Sequence, residues 1–270
     1  MRRFSFHKGH ATQNDFIILD DSYAMHEIHP EFIKVLCDRR AGIGADGVIR
    51  VVRASSIREW DGDPTIWFMD YYNSDGSVAE MCGNGLRVFA RYLINEQLVD
   101  TGSFDVATRA GVKHVELGRI GQIRAQVGAA RIIDDEVHIS HQGQSWPATK
   151  VDVGNPHAVV FLEGGLDDLD LHTGPTWQPA DVFPEGVNVE FIEILAPGKL
   201  RMRVHERGSG ETRSCGTGVV AAARAYRERT GYDGDVEVTV PGGDLSVEFD
   251  GEDATLTGPA VIIARGEYWL

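Results

Sequence analysis

Short apolar or alternating runs recur along the chain between Gly, Asp and Pro. In the first half they cover 16–19, 47–52, 66–69 and 112–117; in the second, 158–161, 187–192, 200–204, 235–240 and 245–249. Such runs, rich in Val, Ile and Phe and bounded by turn formers, predict strands. Three segments instead carry helical spacing. In 30–40, Phe32, Val35 and Leu36 share one face and Pro30 suits the first turn; 85–96 is lined by Leu86, Phe89 and Leu93; 218–229 is rich in Ala. The pattern predicts a mostly β chain with few helices.

The pattern also repeats. With Cys82 laid on Cys215, an offset of 215 − 82 = 133, residues 74–92 fall over 207–225. C-G-x-G, the apolar position after it and the pairs Ala90-Arg91 and Ala223-Arg224 then coincide. Upstream, the stretch 9–15 before one strand is echoed by 153–157 before another, and 155 − 14 = 141 is a similar offset. Two half-chain repeats predict two similar domains, 1–121 and 122–261, divided near 118–124 where Gly118 and Gly121 interrupt the strand pattern. A length of 270 residues fits two domains and buries enough surface to need neither disulfides nor metal.

Charge narrows the partners. With 26 Lys+Arg against 41 Asp+Glu the formal charge is −15, which disfavours nucleic acid and anionic membranes as main partners. A small molecule, anionic ones included, remains the expected partner, and a homodimer stays open. No apolar run is long enough for a transmembrane helix, and the first fifteen residues lack the apolar stretch of a signal peptide, so a cytoplasmic location is expected. Cys37, Cys82 and Cys215 are far apart and form no C-x-x-C, so zinc is not expected.

Several motifs have a plain structural reading. Gly42-Ile43-Gly44-Ala45-Asp46-Gly47 spells G-x-G-x-x-G, but a helix precedes it and a strand follows, the reverse of a dinucleotide site. A helix-to-strand turn is the better reading. His7-x-x-His10 and His26-x-x-His29 lack further ligands at metal spacing and read as surface or loop histidines. His157 lies in a turn at a strand start. Cys37 reads as a small buried residue of its helix.

Cys82 and Cys215 differ because each opens a helix as C-G-x-G, at equivalent places in the repeat. A helix N-terminus offers unpaired N–H groups and partial positive charge, which lowers a thiol pKa and holds carboxylate oxygens. Two helix-capping cysteines without chemistry are the bland alternative. Two thiols acting together suit the inversion of a carbon stereocentre, which needs a base on one face and an acid on the other. A pyridoxal phosphate route would need a Schiff-base lysine, and none of the five lysines (Lys8, Lys34, Lys113, Lys150, Lys199) lies in an evident phosphate-binding context. Stabilisation of the carbanion then falls to backbone N–H groups and helix dipoles at the two C-G-x-G starts.

Six stretches, 8–16, 38–47, 72–87, 153–157, 186–191 and 206–218, read K-G-H-A-T-Q-N-D-F, D-R-R-A-G-I-G-A-D-G, Y-N-S-D-G-S-V-A-E-M-C-G-N-G-L-R, V-G-N-P-H, G-V-N-V-E-F and E-R-G-S-G-E-T-R-S-C-G-T-G. In these the chain resembles the diaminopimelate epimerase family over nearly its whole length. The resemblance implies a cofactor-independent isomerase interconverting LL- and meso-diaminopimelate, for lysine and peptidoglycan precursors. It implies an α/β (α+β) fold of two pseudo-symmetric domains, each a mostly antiparallel β-barrel-like sheet around a central helix, with the C-terminal strand 262–270 returning to the first domain. It makes Cys82 and Cys215 the acid/base thiols. Asn14, Asn73, Asn155 and Asn188, with Glu206 and Arg207, would read the distal amino-acid end, Arg207 gripping its carboxylate and Glu206 its ammonium. Gly83, Asn84, Gly216 and Thr217 would supply backbone donors to the reacting carboxylate, and His157 and Glu206 would help set the thiol protonation states. Two departures stand out. Many relatives have cysteine where Val88 stands, which reads as packing, and some have glutamine where Gly47 stands, which leaves one substrate contact open.

Proline, hydroxyproline and histidine racemases share paired cysteines, but their substrates lack a second amino-acid end. The asparagines and the Glu206-Arg207 pair favour a substrate polar at both ends. A thiol redox or amino-acid-binding protein without turnover is the alternative of another class. Phenazine-biosynthesis-type isomerases are disfavoured because both positions here hold cysteine. If the thiols flank one carbon, an oxidant is expected to join them reversibly in a redox-sensitive disulfide.

Overall fold

The protein is described by a computed structural model covering residues 3–100 and 102–269; Met1, Arg2, Thr101 and Leu270, the last expected in the final strand, lie outside the described residues. The chain separates into two compact units, 1–125 with 258–270, and 126–257.

In the first unit β1 (Arg3–Ala11) turns into β2 (Asn14–Asp20), followed by α1 (Pro30–Cys37), β3 (Gly47–Arg53), β4 (Trp67–Asn73), α2 (Gly83–Asn95), β5 (Ser103–Thr108), β6 (Gly111–Leu117) and β7 (Ile123–Ala129), which runs across the unit boundary. The turn between β1 and β2 has only Thr12 and Gln13 at its tip, both at positive φ, the two-residue hairpin that matches strand twist. From β1 to β6 the pairings run antiparallel, parallel, antiparallel, parallel, antiparallel.

β2 shows why both faces need cover. Phe16 and Ile18 pack with Leu86, Phe89 and Leu93 of α2, while Ile17 and Leu19 pack with Ile33 and Leu36 of α1. A strand alternates its side chains, so a continuous apolar run is a strand buried on both sides. Helix α1 is shorter than its spacing predicts. It stops at Cys37: Asp38 is extended, and its carboxylate reaches forward to accept from the N–H groups of Arg40 and Ala41 in the turn that follows. Its buried face is Ile33, Leu36 and Cys37, and Val35, expected inside, is exposed.

The second unit holds β8 (Arg131–His141), β9 (Gln144–Asp152), β10 (Pro156–Leu162), β11 (Thr176–Gln178), β12 (Asn188–Ala196), β13 (Lys199–Glu206), β14 (Gly210–Thr212), α3 (Gly216–Thr230), β15 (Val236–Val240), β16 (Gly243–Asp250) and β17 (Asp253–Gly258). Through β9, β10, β12, β13, β15 and β16 the pairing order is again antiparallel, parallel, antiparallel, parallel, antiparallel. In each unit the long helix connects the fourth strand of this series to the fifth. The repeat read from the cysteine motifs is therefore a repeat of topology. The last strand, β18 (Val261–Trp269), lies in the first unit and pairs antiparallel with β1. Among the described residues no helix is long and apolar enough to cross a membrane.

Candidate active site

In both units the candidate residues come from corresponding strand ends and helix starts. In the first, β2 sets Phe16 opposite Gly47 of β3, and β3 sets Gly47 opposite Asn73 of β4. In the second, His157 lies opposite Asn188, and Val189 opposite His205, which puts Asn188 level with Glu206. The offsets are 157 − 16 = 141, 188 − 47 = 141 and 206 − 73 = 133. Asn14 precedes the first of these rungs as Asn155 precedes the second.

Cys82 is the N-cap of α2. It has extended φ/ψ (−139°, 119°), and its half-buried sulfur accepts from the N–H of Gly85 at 3.4 Å. The helix begins at Gly83, two residues before the apolar spacing begins. Asn84 is buried, and its Nδ2 donates to Asn14 Oδ1 at 3.0 Å. Asn14 Nδ2 donates in turn to Asp46 Oδ2 at 2.7 Å. Asn73 closes β4 and holds its amide against Ser77 Oγ at 3.0 Å. Arg87 is wholly buried. Its guanidinium reaches Asn84 Oδ1 at 2.8 Å and Thr12 Oγ1 at 3.4 Å, and among the described residues its Nε has no hydrogen-bond partner.

Cys215 caps α3 in the same extended conformation, with its sulfur 3.6 Å from Thr217 Oγ1. Here the expectation from the helix dipole is overturned. The thiol is buried, and burial, followed by the carboxylates of Glu206 and Glu190, pushes its pKa well above the usual 9.0, outweighing the Thr217 and Gly218 hydrogen bonds. A helix N-terminus contributes only a fraction of a charge, and desolvation of a buried thiolate exceeds it.

Beneath this turn lies a pair that sequence reasoning half missed. His157 Nδ1 and Glu190 Oε1 are 2.7 Å apart, and both side chains are fully buried. His157 Nε2 sits 3.0 Å from Asn155 Oδ1. Burial pushes the Glu190 carboxyl up, against the pull of His157. A side chain at Gly218 would place its Cβ 2.6 Å from Glu190 Oε1, so the glycine is what lets the pair approach the helix start. Asn188 Oδ1 accepts from the Arg207 N–H at 2.9 Å, and the exposed Arg207 guanidinium donates to Glu185 O at 3.4 Å. Glu206 accepts from Thr212 Oγ1.

The departures from the family pattern find physical explanations. Val88 is fully buried in the core around α2, a packing position. At Gly47 an added Cβ would lie 2.7 Å from Tyr71 Cε2 and 2.6 Å from Tyr72 O, so the Tyr71 ring fills the space a side chain would need. The G-x-G-x-x-G stretch uses its amides internally: Gly42 donates to Asp38 O, and Ile43 and Gly44 donate to Leu36 O, closing the end of α1. Burial pushes the Cys37 thiol up to about 11, the state of an inert core residue. All three cysteines are free thiols. Among the described residues no group of His, Cys, Asp and Glu is arranged to hold a metal ion.

Two half-chains of one topology, each with a cysteine at a helix N-cap, define the two-domain epimerase fold. A hydroxyproline epimerase from Agrobacterium vitis superposes with a TM-score of 0.69 over 98% of this chain and 92% of its own, at 15% identity, a likeness of fold. Within that class, the sequence profile of the Diaminopimelate epimerase family matches residues 6–133 and 149–263, and the chain belongs to that family. A diaminopimelate epimerase from Corynebacterium glutamicum is 50% identical, covering 97% of each chain. One from Streptomyces coelicolor is 48% identical over 99% of this chain and 97% of its own.

Proposed function

We propose that the chain interconverts LL- and meso-diaminopimelate by two-base proton transfer without a cofactor. The observation that carries this is a repeated cysteine N-cap in a chain half identical, end to end, to named diaminopimelate epimerases. One thiolate takes the α-hydrogen as a proton, and the other thiol gives its S–H proton to the opposite face of the carbanion. The thiolate and thiol have then exchanged places. Cys215, held protonated by burial and by Glu206 and Glu190, suits the donor, which leaves Cys82 as the first base. The backbone N–H groups of Gly83, Asn84, Gly216 and Thr217 at the two helix starts hold the reacting carboxylate and its developing charge. Asn14, Asn73, Asn155 and Asn188 with Glu206 and Arg207 read the distal end, and His157 with Glu206 sets the thiol protonation states. A cytoplasmic site of action and a homodimer belong to the same reading, and sedimentation velocity tests the latter.

The test is exchange of the α-hydrogen of LL-diaminopimelate in deuterated water, with proline as control substrate. Wild type should exchange and epimerise diaminopimelate. Cys82→Ala and Cys215→Ala should each lose epimerisation while keeping a native thermal transition, and Cys37→Ala should stay close to wild type. Faster turnover of proline would replace the substrate assignment. A single-cysteine variant that still epimerises would overturn the two-base assignment.

A further inference from the structure

The first unit contains a line of side-chain hydrogen bonds whose direction has only one solution. Arg87 Nη2 donates to Asn84 Oδ1 at 2.8 Å, Asn84 Nδ2 to Asn14 Oδ1 at 3.0 Å, and Asn14 Nδ2 to Asp46 Oδ2 at 2.7 Å. A carboxamide can be turned over in place, exchanging its donor for its acceptor. Here neither can turn. A guanidinium only donates, so the Asn84 oxygen must face Arg87. A carboxylate only accepts, so the Asn14 nitrogen must face Asp46. Reversing either amide sets donor against donor at one of its two contacts and acceptor against acceptor at the other.

Both ends are themselves held. Arg87 is fully buried on α2 and also reaches Thr12 Oγ1 and Gly83 O. Burial pushes its pKa down to about 10, which still leaves it protonated and donor-only at neutral pH. Asp46 accepts from the Asp15 N–H at 3.1 Å and from Arg39 Nη2 at 2.7 Å. Arg39 also pairs with Asp15 at 2.6 Å, and Asp15 with Lys8 at 2.5 Å.

A buried cation without a carboxylate partner is costly, and here its guanidinium meets an asparagine oxygen instead. At the equivalent place in the repeat, 87 + 133 = 220, stands Val220, so the fold does not require a charge there. We propose that Arg87 and Asp46 are positioning residues that lock the amide orientations of Asn84 and Asn14, and with them the pattern of donors and acceptors offered to the substrate. This rests on the reading that Asn14 and the start of α2 bind diaminopimelate.

Asp46→Asn is the discriminating variant. It is nearly isosteric at a half-exposed position, and asparagine can donate as well as accept, so one end of the line is no longer acceptor-only and Asn14 is held from the Asn84 side alone. Its KM for diaminopimelate should rise about tenfold, as for loss of a charge-assisted hydrogen bond, with kcat much less affected. Arg87→Lys, which keeps a donor, should retain more affinity than Arg87→Met. In 15N-labelled protein without substrate, the side-chain amide signals of Asn14 and Asn84 should both shift or broaden in Asp46→Asn, although only Asn14 touches Asp46. An unmoved Asn84 signal would overturn the proposal whatever the substrate. If Asn14→Ala raises KM and Asp46→Asn does not, the locking role fails and the binding role of Asn14 stands. If Asn14→Ala leaves KM unchanged, the binding role fails and the proposal falls with it.

Discussion

The two halves repeat one order of strand pairings with one long helix, and differ in the buried side chains beside that helix. Glu190 corresponds to Ile49 (190 − 141 = 49) and His157 to Phe16, so an acid–imidazole pair in one unit replaces an apolar pair in the other. Both partners contact the first turn of the helix in the same way: an added Cβ at Gly218 meets Glu190, and one at Gly85 meets Ile49. Conversely the buried Arg87 near Cys82 corresponds to Val220. The environment of Cys215 is thus acidic and that of Cys82 cationic, although the two share one local fold. Glu190→Gln should therefore move the pH midpoint for alkylation of Cys215 downward. The sign follows from charge: a nearby carboxylate disfavours the thiolate, and its removal lets the thiolate form at lower pH. Site-resolved iodoacetamide labelling across alkaline pH measures this, with Cys37 as an internal reference. An unmoved midpoint would place the shared proton of the pair on Glu190, and the charge argument would be wrong.

At the scale of elements, the two long helices start alike but tolerate different side chains. Gly85 has ordinary clearance, its virtual Cβ lying 3.4 Å from Cys82 Cβ and 3.5 Å from Ile49 Cδ1. Gly85→Ala should hold or raise stability, by up to about 1 kcal/mol from helix propensity. Gly218→Ala must push Glu190 off His157 and should lose about 1–3 kcal/mol, the range for overpacking a core. Urea unfolding of the pair checks this, and equal midpoints would sink it. The starts of these helices were legible because C-G-x-G occurs twice at one offset. The charged residues beneath them were not. Arg87 falls on a helix face where an arginine ordinarily reads as solvated. Glu190 lies in V-N-V-E-F, on a strand buried on both sides, where no alternation marks an inward acid. Strands β1 and β8 were also hidden. β1 is polar at several positions and, besides its hairpin with β2, pairs on its other edge with β18 at the far end of the chain, and β8 is broken between Ile133 and Val137 by a bulge carrying Asp134, Asp135 and Glu136. Register with a distant partner is not written in local sequence.

At the scale of the molecule, the chain closes its first unit with its last strand. β18 pairs with β1 from Arg3↔Trp269 to His10↔Val261, with one irregularity at Lys8/Gly9. Gly9 has no side chain at the point where Ile262 and Val88 come closest, so α2 and β18 meet across it. Ala260 and Ile262 join the core around α2, and Arg91 Nε on that helix donates to Ala260 O at 3.0 Å. The unit that carries Cys82 is therefore incomplete without residues 258–269, whereas the unit that carries Cys215 is continuous from 126 to 257. Truncation after Gly258 should unfold the two units separately. The first should lose at least about 3 kcal/mol, from unpaired β1 amides and an opened core, and the second should keep its transition. Amide hydrogen exchange read by mass spectrometry resolves the two: protection should collapse in β1, β2 and α2 and persist in β12, β13 and α3. Epimerisation should be lost, since the loop bearing Cys82 is anchored by α2. Uniform loss of protection would mean that the two units fold as one cooperative body. Retained protection in α2 would mean that β18 only covers a unit already complete.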